Sequence, residues 1–105
     1  MTSLRSKKRK PTHPGEILRE DIFPALNMTQ YDIADALGVS RRSVSQILNE
    51  HRPITADMAI RLARFLGSTA DTWLNMQREL DVWLLEQDEI KVKEYSRIAQ
   101  VKKAA

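Results

Sequence analysis

Hydrophobic residues recur every three or four positions along most of the chain, which is the spacing of one face of an α-helix. No segment of strand length alternates apolar and polar residues, and only three glycines and four prolines interrupt the helical pattern. The pattern predicts five helices, at about 14–23, 30–37, 41–49, 56–66 and 70–85. Residues 90–105 carry apolar residues at roughly helical spacing, which predicts either a short sixth helix or a frayed tail.

Residues with special backbone preferences mark the helix ends. Pro14 suits a first helical position because its missing N–H has no helical partner there, and Pro24 is expected to end the first helix. Gly38 and Gly67 are expected to end the second and fourth helices in the left-handed conformation. Short hydroxyl side chains stand where the later helices should begin; they are Thr29, Ser40, Thr55, and Ser68 or Thr69.

The 105 residues, 42% hydrophobic and without cysteine, are enough for one small folded unit. We expect a disordered basic arm over 1–12, a helical domain over 13–88, and a C-terminal helix or tail over 89–105. No apolar run of about 18 residues follows the basic start or stands elsewhere, so we expect neither a signal peptide nor a membrane span. A cytoplasmic protein is the expectation.

Charge is distributed unevenly. The formal net charge is +3, yet residues 1–15 hold five Lys or Arg and no acid, while the rest holds twelve against fourteen Asp or Glu. Within that remainder, 41–64 has five Arg against two acids, and 71–90 has six acids against one Arg. A basic middle followed by an acidic stretch predicts two binding surfaces of opposite sign.

The segment 29–49, TQYDIADALGVSRRSVSQILN, predicts two short helices joined by a tight turn. Gly38 supplies the left-handed residue of the turn, and Ser40 begins the next helix without slack. Ala34 is small enough to let a second helix cross closely. This is the pattern of a helix-turn-helix unit that binds DNA.

If Val44, Ile47 and Leu48 face the core, the opposite face of the third helix points outward. Arginine and glutamine read guanine and adenine edges in the major groove. We therefore expect base reading by Arg41, Arg42, Ser43 and Gln46, and contacts to the DNA backbone by Gln30, Ser40, Asn49 and Arg52. The alternative is that the adjacent arginines only solvate an exposed helix.

The fifth helix has more apolar residues than one core-facing stripe needs. Trp73 is expected in the core, whereas Val82, Trp83 and Leu85 extend beyond the stripe and predict a dimer or partner contact. The alternative is that 90–105 folds back over them.

No cofactor is expected. His13 and His51 are too far apart in sequence to close a metal site on their own, and no nucleophile or phosphate loop accompanies the acidic residues. The chemistry of the sequence therefore favours a binding protein over an enzyme.

Four segments together resemble the HigA antitoxins, also called virulence-associated protein I, of the Xre or lambda-repressor-like helix-turn-helix class. They are HPGEIL at 13–18, LGVS at 37–40, ITADMAIRLA at 54–63 and WLNMQ at 73–77. The resemblance implies an all-α, lambda-repressor-like fold of five helices and a homodimer that binds operator DNA and represses its own operon. It also implies a HigB-type mRNA-cleaving toxin as the second partner.

By position, Ser40 and Gln46 match DNA-contacting places of the HigA family, and Arg41, Arg42 and Ser43 match readers of the wider class. The sequence departs from the family at Glu50, where glycine is common. Acidic residues of 79–89 either face the basic toxin or only solvate a helix. Two alternatives stay open: a stand-alone repressor, and a toxin-binding module with incidental DNA binding.

Overall fold

The computed structural model describes residues 9–102. Six helices follow one another there without a strand: α1 (Pro14–Ile17, Leu18–Ile22 and Phe23–Leu26 in one run), α2 (Gln30–Leu37), α3 (Arg41–Leu48), α4 (Ala56–Leu66), α5 (Ala70–Gln87) and α6 (Glu89–Ser96). This confirms the all-α prediction and the short sixth helix. Of the expected basic arm, residues 1–8 lie outside the described part, and residues 9–12 are not helical.

The predicted N-caps form, and they place the helix starts as expected. The side-chain oxygens of Thr29, Ser40 and Thr55 accept the backbone N–H three residues on, at 3.0–3.2 Å. At the start of α5 the cap is Thr69 and not Ser68. Ser68 instead accepts a hydrogen bond from the indole N–H of Trp73 at 3.1 Å, which gives that buried ring its polar partner.

The first helix passes Pro24, which corrects the prediction that proline ends it. Leu18–Ile22 is a π-helical turn, in which the N–H of Phe23 reaches back to the Leu18 carbonyl. The wider turn shifts the hydrogen-bond register just before the proline, whose ring and missing N–H are incompatible with regular α-helical pairing. The helix ends three residues later at Asn27, which has the left-handed φ of 61°.

The core lies between α1 and α5 and includes the inner faces of α2, α3 and α4. Its most completely buried large side chains are Leu18, Ile33 and Leu62. Ala34 and Trp73 are also buried, which confirms that Trp73 belongs to the core.

Beyond Leu80 the end of α5 leaves the core. Asp88 caps α6 by accepting the N–H groups of Ile90 and Lys91 at 3.0 and 3.2 Å. Val82 and Leu85 stay 37% and 42% exposed, so the described part of 90–105 does not cover them. None of the helices within residues 9–102 is long and apolar enough to cross a membrane.

Candidate nucleic-acid interface

The turn between α2 and α3 is fixed by its own backbone. Gly38 has a φ of 75°, and the N–H groups of Gly38 and Val39 donate to the carbonyls of Asp35 and Ala34 at 3.1 and 3.0 Å. These bonds satisfy the last carbonyls of α2. Ser40 caps α3 two residues after Gly38, so the two helices are joined without a longer linker.

Arg61 of α4 locks the same turn from outside. Its Nη1 donates to the Leu37 carbonyl at 2.9 Å and to the Gly38 carbonyl at 3.4 Å. Its Nε pairs with Asp57 one helical turn earlier, at 2.8 Å. One of the five arginines in the basic middle is therefore structural, a role for which the sequence offered only the i, i+4 spacing of this pair.

The third helix turns the predicted face outward. Val44, Ile47 and Leu48 are buried. Arg41, Arg42 and Asn49 are exposed, as is Gln30 at the start of α2. The guanidinium carbon of Arg41 lies 5.9 Å from the centre of the exposed Tyr31 ring, which is the range of a cation–π contact.

Ser40, Ser43 and Arg52 form one hydrogen-bonded chain on the flank of α3. The Ser40 hydroxyl donates to the Ser43 Oγ at 3.0 Å, and Arg52 Nη1 donates to the same oxygen at 2.9 Å. The structure thus connects Ser43, a predicted base reader, to Ser40 and Arg52, which are predicted to contact the DNA backbone.

Gln46 is only partly exposed. Its Oε1 is buried and accepts no hydrogen bond within the described chain. A buried acceptor without a partner costs free energy, so this amide gains if an outside donor reaches it.

The start of α1 supports α3 through its backbone. A Cβ atom on Gly15 would lie 1.9 Å from the carbonyl oxygen of Ile47, so only glycine permits this approach. His13 caps the helix there, accepting the Gly15 N–H on Nδ1 at 2.8 Å. Burial is the main influence on the imidazole and lowers the pKa of His13, although Glu50, Asp81 and a hydrogen bond to the Arg52 backbone act in the opposite direction.

The C-terminal end of α3 is held by Arg19 of α1. Its Nη1 donates to the Leu48 carbonyl at 2.6 Å and to the Glu50 carboxylate at 3.2 Å, and its Nε donates to Glu20 at 2.8 Å. Hydrogen bonds to Glu20 and then to Glu50 raise the pKa of Arg19. Glu50 itself has a φ of 63°, a conformation that glycine adopts far more readily.

A buried amide connects α5 to the loop after α3. Gln77 is 6% exposed; its Oε1 accepts the Ile54 N–H and its Nε2 donates to Asp81, each at 2.9 Å. The loop that carries Arg52 is thereby held in place from the far side of the core.

Residues 18–73 match the protein-family model described as helix-turn-helix. Over 76 residues, the chain is 46% identical to virulence-associated protein I of Dichelobacter nodosus, covering 72% of this chain and 70% of that protein. Over 80 residues, the chain is 39% identical to antitoxin HigA-1 of Vibrio cholerae, covering 76% of this chain and 75% of that protein. The chain belongs to the HigA family of helix-turn-helix proteins.

Two solved antitoxin structures have the same fold. Antitoxin HigA of Pseudomonas aeruginosa with the higBA promoter is 34% identical, with 90% of this chain and all of that chain covered, at a TM-score of 0.76. Antitoxin GraA in complex with its operator is 38% identical, with 91% and 95% covered, at a TM-score of 0.79. Each antitoxin was solved with DNA, HigA with the higBA promoter and GraA with its operator.

The segments that resemble HigA have structural roles in this HigA-family chain. His13 and Gly15 of the first segment seat α1 on α3, and Trp73 and Gln77 of the last fasten α5 to the core and to the loop after α3. Those residues position α3 and the loop after it, and the exposed side chains of α2, α3 and that loop are the candidates for contact with DNA.

Proposed function

We propose that this chain is a DNA-binding autorepressor and the antitoxin of a toxin–antitoxin pair. The observation that carries the proposal is the rigid α2–α3 unit, locked by Arg61, which presents the exposed Arg41 and Arg42 on one outward face. Relatives of the same fold are seen with operator or promoter DNA.

Each exposed group has a chemical role. Arg41, Arg42, Ser43 and Gln46 are the proposed base readers. The Gln46 Oε1 is buried without a partner in the described chain, so the amide must turn outward to accept adenine N6–H while its Nε2 donates to N7, and that rotation breaks no hydrogen bond of Oε1. Gln30, Asn49 and Arg52 contact phosphates through their side chains, and Ser40 does so through its backbone N–H because its hydroxyl hydrogen is donated to Ser43. The N-terminus of α2 also favours negative charge.

Mobility shift on the promoter of the chain's own operon tests the base readers. Arg42→Ala and Gln46→Ala should each relax the preference for the operator over a scrambled duplex by roughly 5- to 100-fold. Arg64→Ala, an exposed arginine on α4, is the matched control and should leave the preference unchanged. Unchanged preference in both α3 variants would contradict the assignment of α3.

The proposed second partner is a HigB-type mRNA-cleaving toxin. Support comes from the family and from the acidic end of α5, where Glu86 and Asp88 are exposed. Cells that express the protein of the neighbouring reading frame should regain growth when this chain is co-expressed, and the two proteins should co-purify. Failure of both, with DNA binding intact, would leave the stand-alone repressor as the function; co-purification without operator preference would favour the toxin-binding module.

We further propose a homodimer through the outer face of α5. Val82, Leu84 and Leu85 are exposed there, whereas Trp83 is partly buried and already interacts within the chain. Leu85→Lys should shift the sedimentation of a dimer toward the monomer at micromolar concentration. Ile60→Lys, on exposed α4 surface, is the control. A monomeric wild type would overturn this part of the proposal.

Because operator DNA is the proposed ligand, we also propose that the chain acts in the cytoplasm and works as a binding protein without enzymatic activity or cofactor. His13, one of the two histidines, is used as a helix cap. Within residues 9–102 no group of His, Asp and Glu side chains could hold a metal ion.

A further inference from the structure

We propose that Arg52 sets the hydrogen-bonding direction of Ser43, so that Ser43 reads DNA only as a donor and excludes cytosine at one operator position. The inference rests on the proposed DNA-binding function and deepens it. It gives Arg52 a positioning role in base reading beside its expected contact with phosphate.

The geometry uses up the acceptor capacity of the Ser43 hydroxyl. A serine oxygen has one hydrogen to donate and two lone pairs to accept with. Arg52 can only donate, and its Nη1 lies 2.9 Å from the Ser43 Oγ. The Ser40 hydroxyl donates to the same oxygen at 3.0 Å.

The hydrogen bond between the two serine hydroxyls runs from Ser40 to Ser43. Ser40 Oγ already accepts the Ser43 backbone N–H at 3.0 Å, and its own hydrogen points to the Ser43 oxygen. Both lone pairs of Ser43 are therefore occupied, and its hydrogen is left for a partner outside. Ser43 is partly exposed, one position beyond Arg42 in the first turn of α3.

A donor-only hydroxyl distinguishes bases. On the contacted strand, guanine, adenine and thymine each present an acceptor in the major groove, whereas cytosine presents only its N4 amino group. Removing Arg52 would free one lone pair, and Ser43 could then also accept from that amino group. The remaining N–H groups of Arg52 stay available to phosphate.

Selection from a pool of duplexes with a randomised segment of about 20 base pairs, long enough for two half-sites, tests this. The full chain is compared with Ser43→Ala, Arg52→Met and the double variant. Arg64→Met is the control that removes an exposed charge away from Ser43. Thermal unfolding without DNA of the wild type, Ser43→Ala, Arg52→Met and the double variant forms a double-mutant cycle. It measures the coupling free energy between Ser43 and Arg52 independently of DNA binding.

The wild type should disfavour cytosine at one position, and Ser43→Ala should remove that preference by roughly 2- to 10-fold, the effect of one net hydrogen bond. Arg52→Met should admit cytosine at the same position and have no further effect there once Ser43 is alanine. The inference would be overturned if cytosine were preferred at that position, if no position responded to Ser43→Ala, or if Arg52→Met weakened binding through its lost phosphate contact while leaving the base preference at that position unchanged. The unfolding measurements could show the Ser43–Arg52 coupling while the wild type selects no DNA sequence. In that case the hydrogen bond between the two residues is confirmed, but the proposed DNA-binding function and the role of Arg52 in specificity are both wrong.

Discussion

The backbone of Gly15 packs closely against Ile47 of α3: a Cβ atom on Gly15 would lie 1.9 Å from the Ile47 carbonyl oxygen. That distance is far inside van der Waals contact, and the atom in the way is main chain, which cannot rotate aside. The glycine of the first HigA-like segment is therefore required by packing. It sets how closely α1 approaches α3.

Gly15→Ala should therefore displace α3 as well as destabilise the fold. We expect a loss of roughly 1–3 kcal/mol in the free energy of unfolding, the usual cost of overpacking, and weaker operator binding per folded molecule. Gly67→Ala is the control: its φ is 76° but nothing lies within 4 Å of the added Cβ. It should cost about 1–2 kcal/mol from the left-handed backbone alone, with DNA affinity unchanged. Equal effects of both variants on operator affinity would contradict a specific role for Gly15.

The local part of the fold could be predicted from the sequence, and the long-range part could not. The starts of α2, α3 and α4 follow from Thr29, Ser40 and Thr55, whose partners are three residues away. Arg61 reaches Leu37 across 24 positions, a separation that no periodicity encodes.

Separation along the sequence also explains which supporting residues of the site the sequence did not predict. The outward face of α3 follows from helical spacing around Val44 and Ile47, so Arg42 could be named in advance. Arg19 and Gln77 could not, because they hold α3 and its loop across 29 and 23 positions. The helical run through Pro24 depends on a π-helical turn that the proline pattern does not signal.

Glu50 offers a second prediction, because it combines a left-handed backbone with an ion pair. Its φ is 63°, and its carboxylate lies 3.2 Å from Arg19 Nη1. Glu50→Ala should lower the melting temperature, since it loses the ion pair and keeps the strain. Glu50→Gly should be more stable than Glu50→Ala by roughly 1 kcal/mol, the cost of the left-handed conformation. Both variants remove an acid beside α3, so both should bind operator DNA more tightly at low salt. Equal unfolding midpoints would show that the conformation carries no cost.

The free energy of unfolding should depend on pH through His13. Burial lowers the pKa of His13 below its ordinary value of 6.5 in the folded chain, and Nδ1 must stay unprotonated to accept the Gly15 N–H. The unfolded state then binds the proton more readily, so this contribution is complete above pH 6.5 and is lost as the pH falls through the folded pKa.

Thermal unfolding of the wild type and His13→Asn between pH 7.5 and pH 5 checks this. Asparagine caps a helix start without titrating, so its unfolding midpoint should vary less with pH than that of the wild type. Parallel curves for the two proteins would show that His13 does not contribute to the pH dependence.

Substitution of Gln77 should lower the free energy of unfolding, although this residue lies outside the proposed DNA-binding face. Its buried Oε1 is the acceptor for the Ile54 N–H, so Gln77→Leu leaves a buried donor unpaired while keeping the volume. We expect a loss of roughly 1–3 kcal/mol in the free energy of unfolding. The loop that carries Arg52 should also become more mobile, measured as faster hydrogen exchange at Ile54. Asp81→Asn keeps an acceptor for the Gln77 Nε2 at an exposed position and should change stability by less than about 1 kcal/mol. Unchanged exchange at Ile54 in Gln77→Leu would mean that this amide does not hold the loop.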